Sequence, residues 1–253
     1  MTADLMTLPE RHAPMLTDHI VRLGGAGDGG YLIDARAISE TKLAIGFGMF
    51  FDWRFEKELA EKAECPVEMY DYSVTTWRFA QWLGAGAIRY LARQINHKAF
   101  MERVRTYKEY RSYFDGKPHC HVLAQIGRPA NGCTGLTEVV GARSGIFLKV
   151  DIEGAEYEIL DEIVALRERF SGVVIEFHDF WSNRDTIIAF LDALNFTVGH
   201  WHVNTYVIPD RATGAGVIEV TLTPYPGEGR RTEIHPLDGV IIGKEALAQV
   251  IYC

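Results

Sequence analysis

The run Phe147-Leu148-Lys149-Val150 is apolar and largely unbroken, then gives way to Asp151-Ile152-Glu153-Gly154-Ala155-Glu156. The first part has the pattern of a buried strand. Beyond the break, Ile159, Leu160, Ile163, Val164 and Leu166 recur at helical spacing, which predicts a one-faced helix over 156–170. Two carboxylates, Asp151 and Glu153, therefore stand where a strand hands over to a helix. A chain that alternates strand and helix builds an α/β sheet, and such sheets bind ligands at the carboxyl ends of their strands. The same two residues are equally readable as a helix cap and a solvated side chain.

Composition narrows the field. At 253 residues the chain fits a single α/β domain, and 47% hydrophobic residues suffice for a full core. A net charge of −8 argues against a general nucleic-acid binder, which needs a basic face. Cys65, Cys120, Cys133 and Cys253 contain no Cys-x-x-Cys pair and read as free thiols of a reducing compartment. Met1–Arg22 has no apolar signal core, and no stretch reaches membrane-spanning length. The expectation is a cytoplasmic protein without a membrane span; homo-oligomerisation stays open.

Two further stretches share the character of the first. Val174-Ile175-Glu176-Phe177-His178 is a strand ending in ionisable groups, and His202-Val203-Asn204 closes a later one. Together with Leu148–Glu156, these residues resemble the signature of FkbM-type methyltransferases. The resemblance runs from Lys42 to Tyr225 and leaves 84–117 unaccounted for. It implies a Rossmann-like class I methyltransferase fold: a mostly parallel seven-stranded sheet with helices on both faces, five parallel strands being followed by a closing pair. It also implies S-adenosylmethionine as cofactor, and an acceptor hydroxyl on a sugar, glycan or related natural product.

In chain order, 1–40 reads as an N-terminal extension before the first strand. Its glycine-rich loop Arg22–Tyr31 is by composition a surface loop; the resemblance raises Asp28 and Tyr31 to the edge of the site. Lys42–Met49 is a strand running into Gly46-Phe47-Gly48, with Asp52 capping a helix from Trp53 to about Ala63. Strand, glycine turn and helix start form a nucleotide-binding unit, so Gly46 and Gly48 are cofactor candidates. Phe51 stands where a dinucleotide fingerprint has its third glycine, and Met49-Phe50-Phe51 would crowd a pyrophosphate. That favours the methyl donor over a nicotinamide cofactor. Asp71, 23 residues after Gly48, ends the second strand and is placed to accept ribose hydroxyls, with Tyr72 beside the adenine. Thr75 or Thr76 opens a helix interrupted at Gly84-Ala85-Gly86. From Ala87 to Phe114 the pattern is helical, with tyrosines among arginines; 84–117 is thus a helical insertion that is either a solvated appendage or a lid. His119–Gly127 is the third strand, ending near Gln125, an adenine hydrogen-bonding candidate. His119-Cys120-His121 is not a metal site, because neighbours on a strand face opposite ways.

The remaining residues bear on chemistry. Methyl transfer to oxygen needs alignment and removal of a proton. The candidates are His178, Asp151, Glu153 and Glu176, with His178 first because its unperturbed pKa lies near neutrality and Asp151 second. Asp179, His202 and Asn204 are assigned to the acceptor side; His200, His202 and Asn204 alternate onto one strand face. Ser182-Asn183-Arg184-Asp185 opens a helix as a capping box, Asn195 ends it, Val217–Thr223 is the last strand, and Pro224–Pro236 is turn-rich. Asp151 with His178 or Asp179, and His202 or Asn204, would suit a divalent cation, but the acidic pair expected after the fifth strand is missing, so a metal is not favoured. The competing classes are an inactive binding or scaffold protein with this fold, and a nicotinamide-dependent oxidoreductase.

Overall fold

The computed structural model describes residues 6–25, 29–204, 209–231, 235, 237 and 250–252. Strand β1 (Met6–Leu8) comes first, followed by the antiparallel hairpin β2 (Ile20–Gly24) and β3 (Gly30–Asp34) and helix α1 (Ala35–Glu40). Then come β4 (Leu43–Phe47), α2 (Arg54–Ala63), β5 (Val67–Tyr70), α3 (Thr76–Leu91), α4 (His97–Phe114), β6 (Cys120–Val122), α5 (Leu136–Val140) and β7 (Ile146–Val150). The described chain finishes with α6 (Leu160–Ala165), β8 (Phe170–Phe177), α7 (Phe180–Leu194), β9 (Thr197–Asn204), β10 (Val217–Thr223) and β11 (Val250–Tyr252).

Seven strands form one sheet in the order β6-β5-β4-β7-β8-β10-β9. All neighbours run parallel except β10, which is antiparallel to both β8 and β9. This is the α/β sheet the sequence predicts, with the five parallel strands and closing pair that the resemblance implies. The chain moves outward from β4 through β5 to β6, then returns to β4's other side with β7. That reversal opens a crevice at the carboxyl ends of β4 and β7, the place where open α/β sheets bind ligands.

Strand alternation sorts the core into two layers. Leu148, Val150, Val173 and Ile175 face α5, α6 and α7. Phe147 and Val174 face the opposite layer, with Phe55 and Leu59 of α2 and Ala37 of α1. Lys149 shares Phe147's side, which puts one ammonium into an otherwise apolar face.

Several local expectations change. Within 1–40 the chain already forms β1, the β2–β3 hairpin and α1, and β3 packs against β8, β9 and β10; the glycine-rich segment supplies the facing ends of β2 and β3, where Gly24 pairs with Gly30. Asp28 lies outside the described residues. β1 pairs with β11, so residues near both ends of the chain meet in a second small sheet. The helix predicted over 156–170 is three pieces: a 3-10 turn at Ala155–Glu158, α6, and a 3-10 turn at Arg167–Arg169 before β8. Its apolar spacing is real, but Ile159 and Leu166 sit at breaks where the chain turns to keep Leu160 and Ile163 inward.

Gly84 and Gly86 do not interrupt α3. Gly86 lets α4 approach, since a Cβ there would stand 2.7 Å from Arg103 Cδ, whereas a Cβ on Gly84 would meet open space. The break comes instead after Leu91, and Asn96 caps α4 by accepting from Ala99 N–H. β6 is only three residues, not nine, leaving Gln125 in a loop. Trp53, not Asp52, is the first cap of α2; Asp52 accepts from Arg54 N–H one step further on. α7 starts at Phe180, before the supposed box at Ser182, with Asp179 left-handed at φ 49° as its cap. Asn195 ends α7 in the left-handed conformation, as predicted.

Candidate functional site

A cavity of about 680 Å³ opens over the carboxyl ends of β4, β5, β6 and β7. Gly48, Asp71, Tyr72, Gln125, Asp151 and Glu153 from the sequence-based set all line it, as does Tyr31. Gly46, Glu176, His178, Asp179, His202 and Asn204 do not line it. Gly46 lies inside β4, where a Cβ would meet Met69 at 2.5 Å and Glu56 at 2.9 Å, so its role is close packing. Gly48 has φ 77°, and a Cβ there would fall 1.7 Å from the Asp151 carbonyl oxygen. Only glycine lets the β4 and β7 ends come this close.

Asp71 is buried. Its Oδ2 accepts from Met49 N–H and Phe50 N–H, both 2.9 Å, and its Oδ1 accepts from Ser73 N–H and Oγ, both 2.7 Å. Burial alone would raise its pKa, but these four donors outweigh it and hold the carboxyl below its usual range. Asp71 thus organises the glycine turn, and a ribose would share its lone pairs with the backbone.

Lys149 is a buried cation at the cavity wall. Its Nζ donates to Gly48 O at 3.1 Å and to Asp151 Oδ2 at 3.3 Å, and lies 3.9 Å from Glu56 Oε1. Burial lowers an ammonium's pKa, yet Asp151, Glu56 and Glu176 together raise it well above the ordinary lysine value. Glu56, on α2, is raised by its own burial, which Lys149 offsets only in part. Asp151 is the nearer carboxylate and so Lys149's principal partner.

His178 sits just past the end of β8, behind the cavity wall. Its Nδ1 is 3.2 Å from Glu156 Oε1, and its Nε2 is 3.5 Å from Glu153 Oε2 and 3.9 Å from Glu176 Oε1. Burial would lower its pKa, but Glu156, Glu176 and Asp151 raise it to about 9. The carboxylates around His178 favour its imidazolium form. Asp151, Glu153 and His178 bring one ligand-type atom each within 4.8 Å of one another, a set able to hold a cation. Deprotonated His178 would be needed for that. Glu153 has φ 54° and an 87% exposed side chain.

Behind this wall Asn204 Nδ2 donates to Glu176 Oε1 at 3.3 Å, and Glu219 of β10 lies directly across from both Glu176 and His202. Asp179 is committed to the start of α7. The acceptor-side assignments therefore form a layer beneath the cavity wall.

Four contributors were not singled out from sequence. Fully buried Glu156 accepts from Gly154 N–H at 2.8 Å, from His178 N–H at 2.7 Å, and faces the His178 ring. Lys149 could have been noticed as the lone charge in a buried strand. Arg54 and Asp52 line the cavity as an ion pair, with Arg54 Nε 2.8 Å from Asp52 Oδ1. Nothing in their spacing distinguishes them from an exposed local pair.

The family model for the methyltransferase FkbM domain matches residues 136–198. The resemblance to FkbM methyltransferases thus recurs in this stretch, about a quarter of the chain. The matched stretch spans α5, β7, α6, β8 and α7, so it contains Lys149, Asp151, Glu153, Glu156, Glu176 and His178. The FkbM match names a methyltransferase family and no substrate. No curated protein matches the sequence. Among solved structures, a fibrillarin/Nop5p complex is 11% identical, over 88% of this chain and 100% of that one, with a TM-score of 0.36. A mutant 16S rRNA (adenine-N1) methyltransferase from Catenulisporales acidiphilia is 13% identical over 80% and 97%, with a TM-score of 0.34. At these scores neither likeness says anything of this chain's chemistry.

Proposed function

We propose that the protein is an S-adenosylmethionine-dependent O-methyltransferase acting on a hydroxyl of a sugar, glycan or related natural product. The observation that carries this is the cavity itself, walled on one side by Asp151 and Glu153 of the FkbM match and on the other by Asp71 and Tyr72. Its volume lies in the range of small-molecule sites, about 300–1,000 Å³. Its chemical groups suit the cofactor part by part. Asp71 suits a ribose diol, and Tyr72, 60% exposed, with Gln125 suits adenine. Arg54 suits a carboxylate, and Asp52 or Asp151 an ammonium. The amides of Met49 and Phe50, which a dinucleotide would need for its pyrophosphate, are turned onto Asp71 instead. That favours the methyl donor over a nicotinamide cofactor.

S-adenosylmethionine, when bound, supplies a methyl group already activated on a sulfonium. The chain's own task is to orient the hydroxyl and take its proton. Asp151, fixed by Lys149, faces the cavity and accepts a hydrogen bond from the hydroxyl. His178 lies behind the wall, one of its ring nitrogens within 4.8 Å of oxygens of Asp151 and Glu153, and takes the proton by way of these carboxylates once it is neutral; Glu156 holds its Nδ1 so that Nε2 is turned toward Glu153.

The test is transfer of labelled methyl from S-adenosylmethionine to a panel of nucleotide-sugars, glycans and macrolides, with S-adenosylhomocysteine measured alongside. Label in an ether-linked methyl is the expected result. Label on nitrogen or carbon, or no turnover with tight cofactor binding, would replace the O-methyl reading.

A further inference from the structure

Charge is distributed very unevenly along this chain. Residues 76–117 contain nine Lys or Arg against three Asp or Glu, a formal +6, while the whole chain is −8. The remaining residues therefore carry −14. This basic segment is the α3–α4 hairpin.

The hairpin does not have the character of a substrate lid. The tyrosines that suggested one are used for packing: Tyr107 and Tyr110 lie against Phe79, and Tyr110 and Phe114 against Trp53. Arg103 lies over the Trp82 ring and donates to Trp82 O, so it too is structural. All of these anchor the base of the hairpin. The tip is different. Ile88 is 69% and Leu91 80% exposed, beside exposed Arg89, Arg93 and Lys98. The tip is braced by a stack of Tyr90 on Phe100, centroids 5.4 Å apart, so the exposed apolar residues stand on a formed element. Leu91 ends a 16-residue helix whose start follows cavity-lining Ser73, so the tip lies about 24 Å along that helix from the cavity mouth.

We propose that the tip of the α3–α4 hairpin docks the protein on an anionic lipid surface. Charge complementarity selects an anionic partner, since the segment is strongly basic within an acidic protein. The bare Ile88 and Leu91 select a surface with an apolar layer behind the charge, which a soluble sugar phosphate does not offer. Among the described residues no helix is long and apolar enough to cross a membrane, so the hairpin rests on the surface. The inference uses no residue of the cavity and stands apart from the methyl-transfer reading.

The experiment is co-sedimentation of the full chain with vesicles of phosphatidylcholine alone and of equal parts phosphatidylcholine and phosphatidylglycerol. Binding is expected only to the second kind and is expected to weaken as salt rises. Ile88→Asp with Leu91→Asp, and separately Arg89→Glu with Arg93→Glu, should each lower the partition coefficient on the order of tenfold or more. All four sites are exposed, so thermal unfolding midpoints should match wild type and report folding independently. Equal binding to both vesicles, or to neither, overturns the proposal. Binding to heparin or RNA that survives Ile88→Asp with Leu91→Asp would assign the tip to an acidic polymer instead. Self-association abolished by the same pair would assign it to a second copy of the chain. Either result overturns the lipid reading.

Discussion

At the scale of single residues, Asp71 and His178 carry the sharpest expectations. Asp71→Ala removes an acceptor from the ribose and also strands the amides of Met49 and Phe50. Cofactor affinity should fall by on the order of 1.5–3 kcal/mol, measured by calorimetric titration. Unchanged affinity in a folded variant would remove Asp71 from the cofactor site. For His178 the sign follows from its raised pKa of about 9. A base must be neutral, so kcat should rise with pH through about 9. His178→Gln should flatten that rise and lower kcat by roughly 10²–10⁴, leaving cofactor affinity alone. A variant with near wild-type turnover passes the role to Asp151. The same pKa has a stability consequence. The imidazolium's contribution is complete below about 6.5, its unfolded value, and is lost as pH climbs through about 9. The sequence singles out these two residues because each follows a strand and brings ionisable chemistry to its end. It does not single out Glu156, because its importance lies in three donors converging from Gly154 and His178, which spacing along a chain cannot reveal.

Among elements, the junction of β4 and β7 decides the shape of the site. Gly48 lets the strand ends meet, and Lys149 ties the Gly48 carbonyl to Asp151 across the gap. Lys149→Met keeps the volume and removes the charge, leaving Asp151 and buried Glu56 without their cation. Denaturant unfolding should show a loss of about 3–5 kcal/mol, the cost of breaking a buried ion pair from one side. A loss near zero would mean that Glu56 is neutral and that Lys149 is not what fixes Asp151. The sequence announced the strands of this junction through their apolar runs. It misled on the helices beside it. The apolar spacing over 156–170 is that of a helix, yet the polypeptide breaks twice to reach β8. Gly84 and Gly86 read as breakers, yet α3 runs through both, and Gly86 serves helix–helix approach. In both cases tertiary packing overrides local propensity.

For the whole molecule, the α/β class follows from the alternation of β and α along the chain and the strand arrangement from the family resemblance, whereas the contributions of 1–40 follow from neither. The hairpin β2–β3 and the β1–β11 pair depend on contacts between distant parts of the chain, which local patterns do not encode. The same limit applies to the cavity. Six of the sequence-based residues meet there because they follow strand ends, but those placed on β8 and β9 lie behind its wall. Metal dependence is a property of the assembled site. Asp151, Glu153 and His178 converge, yet the carboxylates around His178 favour its protonated form, which cannot ligate a cation. Methyl transfer should therefore survive EDTA; loss restored by magnesium or manganese would make these three residues a metal centre. Isothermal titration of S-adenosylmethionine into the full chain reads directly whether the crevice between β4 and β7 takes this cofactor. Saturable one-to-one binding is expected, weakened by Asp71→Ala, with no heat from a nicotinamide dinucleotide. Binding of the dinucleotide and none of S-adenosylmethionine would contradict the account.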